Sequence, residues 1–150
     1  MPQSFASVPL HIIYSTKGRL PFLTDDLLQS ILEYFGAVAD GCGCRLLASG
    51  GVSDHVHLLV SLSRTITIAD LIRTLKSSSS RWIHDKYSDR ASFAWQSGYA
   101  VFGVSESNIQ KLKIYIANQH AHHQSVSFQD EYRTFLTRHG IEYDERYVWD

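Results

Sequence analysis

The chain has 150 residues, of which 44% are hydrophobic and 19% charged, and its formal net charge is −1. These values predict one globular domain over residues 1–150 with a sizeable core, and they exclude a uniformly basic nucleic-acid binder. The sequence predicts neither a membrane helix nor a signal peptide. Because Cys42 and Cys44 are too close for an ordinary disulfide and too few for a structural zinc site, we expect reduced thiols and a cytoplasmic location.

The charges and the histidines are unevenly distributed along the chain. Residues 64–113 contain eight Lys and Arg against four Asp and Glu, whereas residues 114–150 contain three against six. A basic centre of this kind permits a local phosphate-binding surface. Five of the eight histidines fall in two groups, at positions 55 and 57 and at positions 120, 122 and 123. This clustering makes the histidines the first candidates for a functional site.

The first half of the chain alternates strand and helix signals. Residues 8–15 are rich in β-branched and aromatic side chains and predict the first strand. Thr24 is a suitable N-cap for the helix that follows, in which apolar residues recur at helical spacing. Residues 43–50 and residues 54–62 predict the second and third strands. The glycine pair at 50 and 51 predicts a turn or a β-bulge at this point.

The second half adds a helix, a strand and two more helices. Thr67, with Asp70 three residues later, predicts the start of the second helix. The aromatic segment 93–104 predicts a long fourth strand. A third helix is predicted over 106–123 and a short final helix over 128–138, and a serine precedes each of them as a possible N-cap.

The resulting order is strand–helix–strand–strand–helix–strand. This order predicts an α+β fold, the ferredoxin-like βαββαβ arrangement with an antiparallel four-stranded sheet. Its core would span about residues 8–104, followed by a helix over about 105–123 and by a C-terminal helix and tail over 127–150. In this topology strands one and three are central, and both helices of the core cover one face of the sheet. We therefore expect the opposite face to be open.

Two histidines on the predicted third strand form a candidate metal site. Because alternate side chains of a strand point to the same face, His55 and His57 would project together while Val56 and Leu58 face the helices. Two neutral imidazoles at this spacing can bind one metal ion, although two polar residues on a half-exposed face would give the same pattern. The predicted open face of a central strand favours a ligand site.

The predicted helix over 106–123 contains the second candidate group. Tyr115 and Gln119 lie one turn apart on one face, which His122 and His123 roughly continue. Packing of the tyrosine and solvation of the polar residues is the simpler explanation. A carboxamide oxygen is nevertheless an acceptable ligand for a hard divalent ion, and a phenol beside a metal-bound phosphate is a possible nucleophile. Together with the histidine strand, this helix predicts a site that can form a phosphotyrosine.

Four stretches of the chain, in the same order, resemble one known protein family. The sequence is similar to the single-tyrosine HUH transposases of small bacterial insertion sequences that move as single-stranded DNA, a group that includes the repeat-associated tyrosine transposases. The matching stretches are 10–17 (LHIIYSTK), 54–60 (DHVHLLV), 95–99 (WQSGY) with Phe102, and 115–119 (YIANQ) with His122 and His123. Each stretch alone is weak evidence, but four in order are specific.

The resemblance implies the roles of several residues. His55, His57 and Gln119 would bind a divalent metal, Mg²⁺ or Mn²⁺, and Tyr115 would be the catalytic nucleophile of a single-stranded DNA endonuclease and strand transferase. It would attack a DNA phosphate, stay attached to the 5′ phosphate and free a 3′ hydroxyl. The resemblance also implies DNA hairpins at the element ends as the partner. It further implies a homodimer in which the tyrosine helix of one subunit can complete the site of the other.

Basic side chains supply candidates for contacts with the DNA phosphates, and such contacts predict salt-dependent binding. They form a thinner basic surface than we expect for tight binding of a hairpin. The candidates are Lys17, Arg19, Arg73, Lys76, Arg81, Lys111 and Lys113.

Three other functions stay open at this point. One is a different HUH nuclease, a replication initiator or a relaxase, for which 150 residues leave little room. Another is a non-catalytic ferredoxin-like module that binds nucleic acid or metal. The third is a zinc hydrolase that uses the histidines at 120–123, for which Asp54 is the only carboxylate that the sequence places nearby.

Overall fold

A four-stranded antiparallel sheet forms the centre of the computed structural model, which describes residues 2–150. The strands are β1 (Pro9–Ser15), β2 (Arg45–Val52), β3 (His55–Ser61) and β4 (Ala100–Gly103). Their spatial order is β2-β3-β1-β4, so that β3 and β1 are the central strands. This order confirms the predicted ferredoxin-like α+β fold and the central position of the histidine strand.

Helices follow the strands in the predicted order. The α-helices are α1 (Asp25–Gly41), α2 (Ile68–Lys86), α3 (Ile109–Ala117), α4 (Gln119–His122) and α5 (Phe128–Arg138). The hydroxyls of Thr67 and Ser127 accept the backbone N–H of the third residue beyond each, which caps α2 and α5. Thr24 precedes α1 without such a bond. Among residues 2–150, no helix combines the length and the apolar character that a membrane crossing requires.

One face of the sheet packs against α1 and α2 and forms the larger core. Val56 and Leu58 of β3 point into this core, as predicted, and both are completely buried. They meet Ile31 and Phe35 of α1 and Leu75 of α2 within one cluster of apolar side chains. The alternation of β3 therefore directs His55 and His57 to the opposite face.

The opposite face is covered, and the expectation that it is open is wrong. Phe128 and Tyr132 of α5 pack against Ile13 of β1 and Phe102 of β4 and build a second apolar cluster. The cause is the amphipathic C-terminal segment, whose apolar side chains need a surface to cover and find it on the free face of the sheet. The two histidines of β3 are consequently completely buried.

Residues 93–104 form a shorter strand than predicted, because only Ala100–Gly103 belongs to the sheet. Phe93 and Trp95 are buried in the larger core, and Trp95 pairs with Thr16, the residue directly after β1, in one isolated antiparallel bridge. The backbone N–H of Gly98 donates to the carbonyl oxygen of Asp150 (2.7 Å) instead of to a strand. The aromatic composition of this segment thus serves core packing from a loop.

Two local predictions near the site also need correction. The glycine pair 50–51 lies inside β2, and the turn is formed at residues 53 and 54. The backbone of Ile116 from α3 approaches Gly50 so closely that no side chain fits there. The helix predicted over 106–123 is interrupted at Asn118 (φ −98°, ψ 18°), a residue of low helix propensity. It is preceded by a 3₁₀ turn at Glu106–Asn108 and divided into α3 and α4.

Candidate active site

The two histidines of β3 are held by hydrogen bonds through their Nδ1 atoms. Nδ1 of His55 donates to a carboxylate oxygen of Asp54 (2.7 Å), and Nδ1 of His57 shares a hydrogen bond of 2.8 Å with Nε2 of His11 on β1. Such partners fix the ring orientation of metal-binding histidines. They leave the Nε2 atoms of both histidines directed at the space between the sheet and the C-terminal helices.

Three side chains from the C-terminal segment enter the same space. Nε2 of His123 lies 2.9 Å from the amide oxygen of Gln119 and 3.2 Å from one carboxylate oxygen of Glu131. That carboxylate oxygen is also 2.9 Å from Nε2 of His57 and 3.5 Å from Nε2 of His55. One atom from each of the three histidines and from the glutamate lies within 4.8 Å of the others, which is the spacing of a group that could hold a metal ion.

The ring nitrogens and oxygens of this cluster are arranged around one point. Nδ1 of His55 donates to a carboxylate, and Nδ1 of His123 donates to the carbonyl oxygen of Val126 (2.7 Å), so Nε2 of each ring is the nitrogen that remains for a second proton or for a metal ion. These Nε2 atoms face the oxygens of Gln119 and Glu131 at distances between 2.9 and 3.5 Å. The set of imidazole, carboxylate and carboxamide groups fits a divalent metal.

Burial and neighbouring charges shift the pKa values of the cluster. Burial lowers the pKa of His57 to about 4, and burial together with the nearby His57 lowers that of His11 to about 3. Burial alone would raise the pKa of Glu131, but hydrogen bonds from His123, His55 and His57 outweigh it and hold this pKa well below its usual range. The glutamate is therefore ionised, and its negative charge adds to the attraction for a cation.

Tyr115 lies on α3 next to this cluster. Its hydroxyl donates to the second carboxylate oxygen of Glu131 and is 3.2 Å from Nε2 of His122, and its ring centre is 5.8 Å from that of His57. Burial, and then the carboxylate of Glu131, raise the pKa of this phenol above its ordinary value. The structure thus brings the four predicted residues His55, His57, Tyr115 and Gln119 into one site within a single chain.

The glutamate at the centre of the site is absent from the residues predicted from the sequence. His123 had no predicted role, and the prediction that Asp54 is the only carboxylate near the histidines at 120–123 is wrong, because Glu131 lies 3.2 Å from His123. A signal did exist, since Glu131 falls on the apolar side of a predicted helix, between Phe128 and Tyr132. A carboxylate at such a position needs a buried partner. His11 belongs to a matching stretch of the family, but its position there predicts no contact with His57.

The seven predicted DNA-binding cations have different surroundings. Lys76 points inward, where its ammonium donates to the carbonyl oxygens of Gln96 (2.8 Å) and Gly98 (2.7 Å). Arg19 lies over the ring of Trp149, with its guanidinium carbon 5.5 Å from the ring centre. Lys17, Arg73 and Arg81 are exposed, and Lys113 is half-buried. Of the seven, Lys111 lines the same cavity as Tyr115.

Known proteins with similar sequences are transposases. A family model described as "Transposase IS200 like" matches residues 4–119, which include His55, His57, Tyr115 and Gln119 and end before His123 and Glu131. The ISDra2 transposase TnpA of Deinococcus radiodurans is 26% identical over 115 residues, covering 73% of this chain and 82% of that protein. The transposase for insertion sequence element IS200 of Salmonella typhimurium is 23% identical over 114 residues, covering 73% of this chain and 74% of that protein.

Solved structures show the same fold. The crystal structure of a candidate transposase from Deinococcus radiodurans R1 has a TM-score of 0.65 and 26% sequence identity, covering 79% of this chain and 98% of that chain. The structure of a REP-associated tyrosine transposase bound to a REP hairpin has a TM-score of 0.62 and 13% sequence identity, covering 84% of this chain and 74% of that chain. The second likeness is one of fold alone.

Proposed function

Because this chain belongs to the IS200-like transposase family, we propose that it cleaves and rejoins single-stranded DNA through a covalent 5′-phosphotyrosine at Tyr115. The observation that carries the proposal is the contact between the Tyr115 hydroxyl and Glu131, whose other oxygen faces the histidines. A phosphate placed at this point would touch the nucleophile and the metal ligands at once. That is the arrangement an attack on a phosphate requires.

In the proposed reaction, the phenol oxygen of Tyr115 forms a bond to phosphorus as the bond to the 3′ oxygen of the preceding nucleotide breaks. Glu131 is in contact with the phenolic proton and is its nearest acceptor. The leaving 3′ oxygen takes up a proton and becomes a 3′ hydroxyl. Strand transfer is the reverse step, in which the 3′ hydroxyl of another strand attacks the phosphotyrosine and releases the phenol.

His55 and His57 would hold the divalent metal, with Gln119 as the third ligand that the family resemblance implies. His123 and Glu131 offer further donor atoms at the same point. When bound, the metal supplies Lewis-acid stabilisation of the charge that develops on the phosphate. Of the two metals expected, the high share of imidazole donors favours Mn²⁺ over Mg²⁺.

The proposal includes the partners of the protein. A relative with the same fold was solved bound to a REP hairpin, which supports hairpin-marked single-stranded DNA as the substrate. We also propose that the protein works in the cytoplasm, in agreement with its free thiols at Cys42 and Cys44, and that it acts as a homodimer. In a dimer, the tyrosine helix could act on the site of the same subunit or on that of the partner.

Replacement of the nucleophile tests the proposal. Tyr115→Phe should abolish the covalent protein–DNA adduct, seen as a shifted band after denaturing electrophoresis, while hairpin binding by gel shift stays largely intact. Tyr147→Phe, at a residue that is 64% exposed, is the matched control and should form the adduct normally. An adduct that survives in Tyr115→Phe would overturn the assignment.

Removal of a metal ligand tests the second half of the site. His55→Ala should weaken Mn²⁺ binding, measured by calorimetry, together with DNA cleavage. Cleavage by the unaltered protein should stop when a chelator is added and resume when Mn²⁺ is restored. Cleavage that continues unchanged in chelator would contradict the role of the metal. Parallel assays on hairpin ends and on replication-origin sequences distinguish a transposase from an initiator or a relaxase.

A further inference from the structure

A cavity of about 430 Å³ opens beside Tyr115, outside the cluster of histidines. It lies between α3, the edge strand β4 and the end of α5, and its volume is within the range of ligand sites. Tyr115 and His11 are the two residues that it shares with the candidate active site. It is therefore placed to hold a part of the substrate that adjoins the reacting phosphate.

One wall of the cavity is an ordered aromatic stack. The ring of His139 stacks on the ring of Phe102, with 4.3 Å between their centres and 27° between their planes. Phe102 in turn stacks on Phe135 at 5.5 Å. Nδ1 of His139 donates to the carbonyl oxygen of Phe135 (2.8 Å), which fixes the ring, and the residue is exposed and lines the cavity. A flat, fixed and exposed ring is a suitable surface for a nucleobase to stack on.

The rim of the cavity is positively charged. Lys111 of α3 and Arg138 of α5 are exposed cations on the rim, and its lining contains no aspartate or glutamate within the described chain. Burial and Glu131 raise the pKa of Tyr115, but Arg138 acts in the opposite direction. The charge of Arg138 is therefore felt at the nucleophile itself. Cations at this position attract phosphates of the strand on which Tyr115 acts.

We propose that this cavity binds the nucleotide next to the scissile phosphate of single-stranded DNA. The base would stack on His139, and Lys111 and Arg138 would contact the flanking phosphates. The proposal rests on the proposed function, because it assigns the strand that Tyr115 cleaves to this surface. Because every base has a stacking face, the cavity would hold the strand in place with little preference for sequence.

Binding of a short oligonucleotide tests the proposal. The probe is a fluorescein-labelled oligo(dT) of about 12 nucleotides, a length within the usual site sizes of single-strand binders, and the readout is fluorescence anisotropy at several salt concentrations. Arg138→Ala should weaken binding several-fold and lower the slope of log affinity against log salt by about 0.7. Arg146→Ala is the matched control, because Arg146 is exposed and pairs with Asp144 outside the cavity; it should bind like the unaltered protein.

A second pair of variants tests the stacking surface. His139→Ala should weaken oligo(dT) binding by about tenfold, whereas His139→Phe keeps an aromatic ring and should restore most of the affinity. Arg138→Ala and His139→Ala variants that bind as tightly as Arg146→Ala would overturn the cavity proposal, even if Tyr115 forms its adduct normally. Loss of affinity in these variants would support it, even if no variant forms an adduct and the proposed function fails.

Discussion

The carboxylate of Glu131 joins Tyr115 to the histidines of β3. One of its oxygens accepts the hydroxyl of Tyr115, and the other lies 2.9 Å from Nε2 of His57. Only 3% of this residue is exposed, so its negative charge is stabilised by these partners instead of by water. Helix α5 thus supplies the group that links a residue of α3 to a residue of the sheet.

Replacement of this carboxylate should weaken the candidate metal site. Glu131→Gln preserves the shape of the side chain but removes its charge, and we expect Mn²⁺ affinity to fall by at least about 10-fold, the smallest loss usual for residues that only support metal ligands. Isothermal titration calorimetry measures this affinity without reference to activity. Asp130→Asn is the control, because the Asp130 side chain is 70% exposed and should contribute little. Equal affinity of the Glu131→Gln and Asp130→Asn proteins would show that Glu131 is not a ligand.

Lys76 should act in folding more than in DNA binding. Its ammonium donates to the carbonyl oxygens of Gln96 and Gly98, and burial lowers its pKa to about 8. Lys76→Met leaves these partly buried carbonyl oxygens unsatisfied, so we expect the free energy of unfolding to fall by about 1–3 kcal/mol. Urea denaturation checks the stability, and the salt dependence of oligonucleotide binding should not change.

The control for this variant is Arg73→Met, at a side chain that is 73% exposed. It should leave the free energy of unfolding nearly unchanged, as is usual for surface substitutions. The prediction would be contradicted if Lys76→Met were as stable as the unaltered protein and bound DNA more weakly. Lys76 would then be a DNA-binding residue, as predicted from the sequence.

Local periodicity explains how much of the fold the sequence predicts. The alternation along β3 places Val56 in the core and His55 on the other face, and the cap residues Thr67 and Ser127 mark the starts of α2 and α5. The segment 93–99 is different, because its aromatic-rich composition is compatible both with a buried strand and with a loop that packs into a core. Only contacts with distant residues such as Asp150 decide between them.

The site was predictable where its residues share one element. Tyr115 and Gln119 are close in the chain, and His55 and His57 share a strand, so spacing alone suggests each pair. Glu131 reaches the site because α5 folds back over the sheet, and no local pattern records that path. The same packing buries the histidine face, which the topology of the four strands and first two helices leaves open.

The buried histidines should make the protein less stable in acid when metal is absent. Burial lowers the pKa values of His11 and His57 to about 3 and about 4, whereas an unfolded histidine titrates near 6.5. Below about pH 6.5 the unfolded chain therefore binds protons that the folded chain does not. As the pH is lowered, each of the two groups reduces the free energy of unfolding by up to about 1.4 kcal/mol per pH unit.

His55 acts in the opposite direction, but over a higher pH range. Burial lowers its pKa, but the hydrogen bonds to Asp54 and Glu131 outweigh burial and raise it, so its contribution to stability is complete below about pH 6.5. His55 therefore changes the stability only above about pH 6.5, and below this pH the net slope should be near that of His11 and His57 together. Urea denaturation in chelator at about pH 7, 6 and 5 measures it, and His11→Gln should reduce the slope while the exposed control His120→Gln should not. Stability that stays constant or rises over this range would contradict the prediction.

Gly50 should determine how closely α3 approaches the sheet. A Cβ atom at Gly50 would collide with the backbone carbonyl of Ile116 and lie 3.0 Å from its Cγ2 atom. Gly50→Ala must therefore push α3 outward, and overpacking of this kind lowers the free energy of unfolding by about 1–3 kcal/mol. Because Tyr115 precedes Ile116 in the same helix, formation of the covalent adduct should also slow.

The matched control for Gly50→Ala is Gly41→Ala at the end of α1, where a Cβ would meet no atom within 4 Å. Alanine is the better helix former by about 1 kcal/mol at interior positions, so this variant should be at least as stable as the unaltered protein. Urea denaturation and the rate of adduct formation are measured for both variants. If Gly50→Ala matched Gly41→Ala in both, the contact between Gly50 and Ile116 would not be what positions Tyr115.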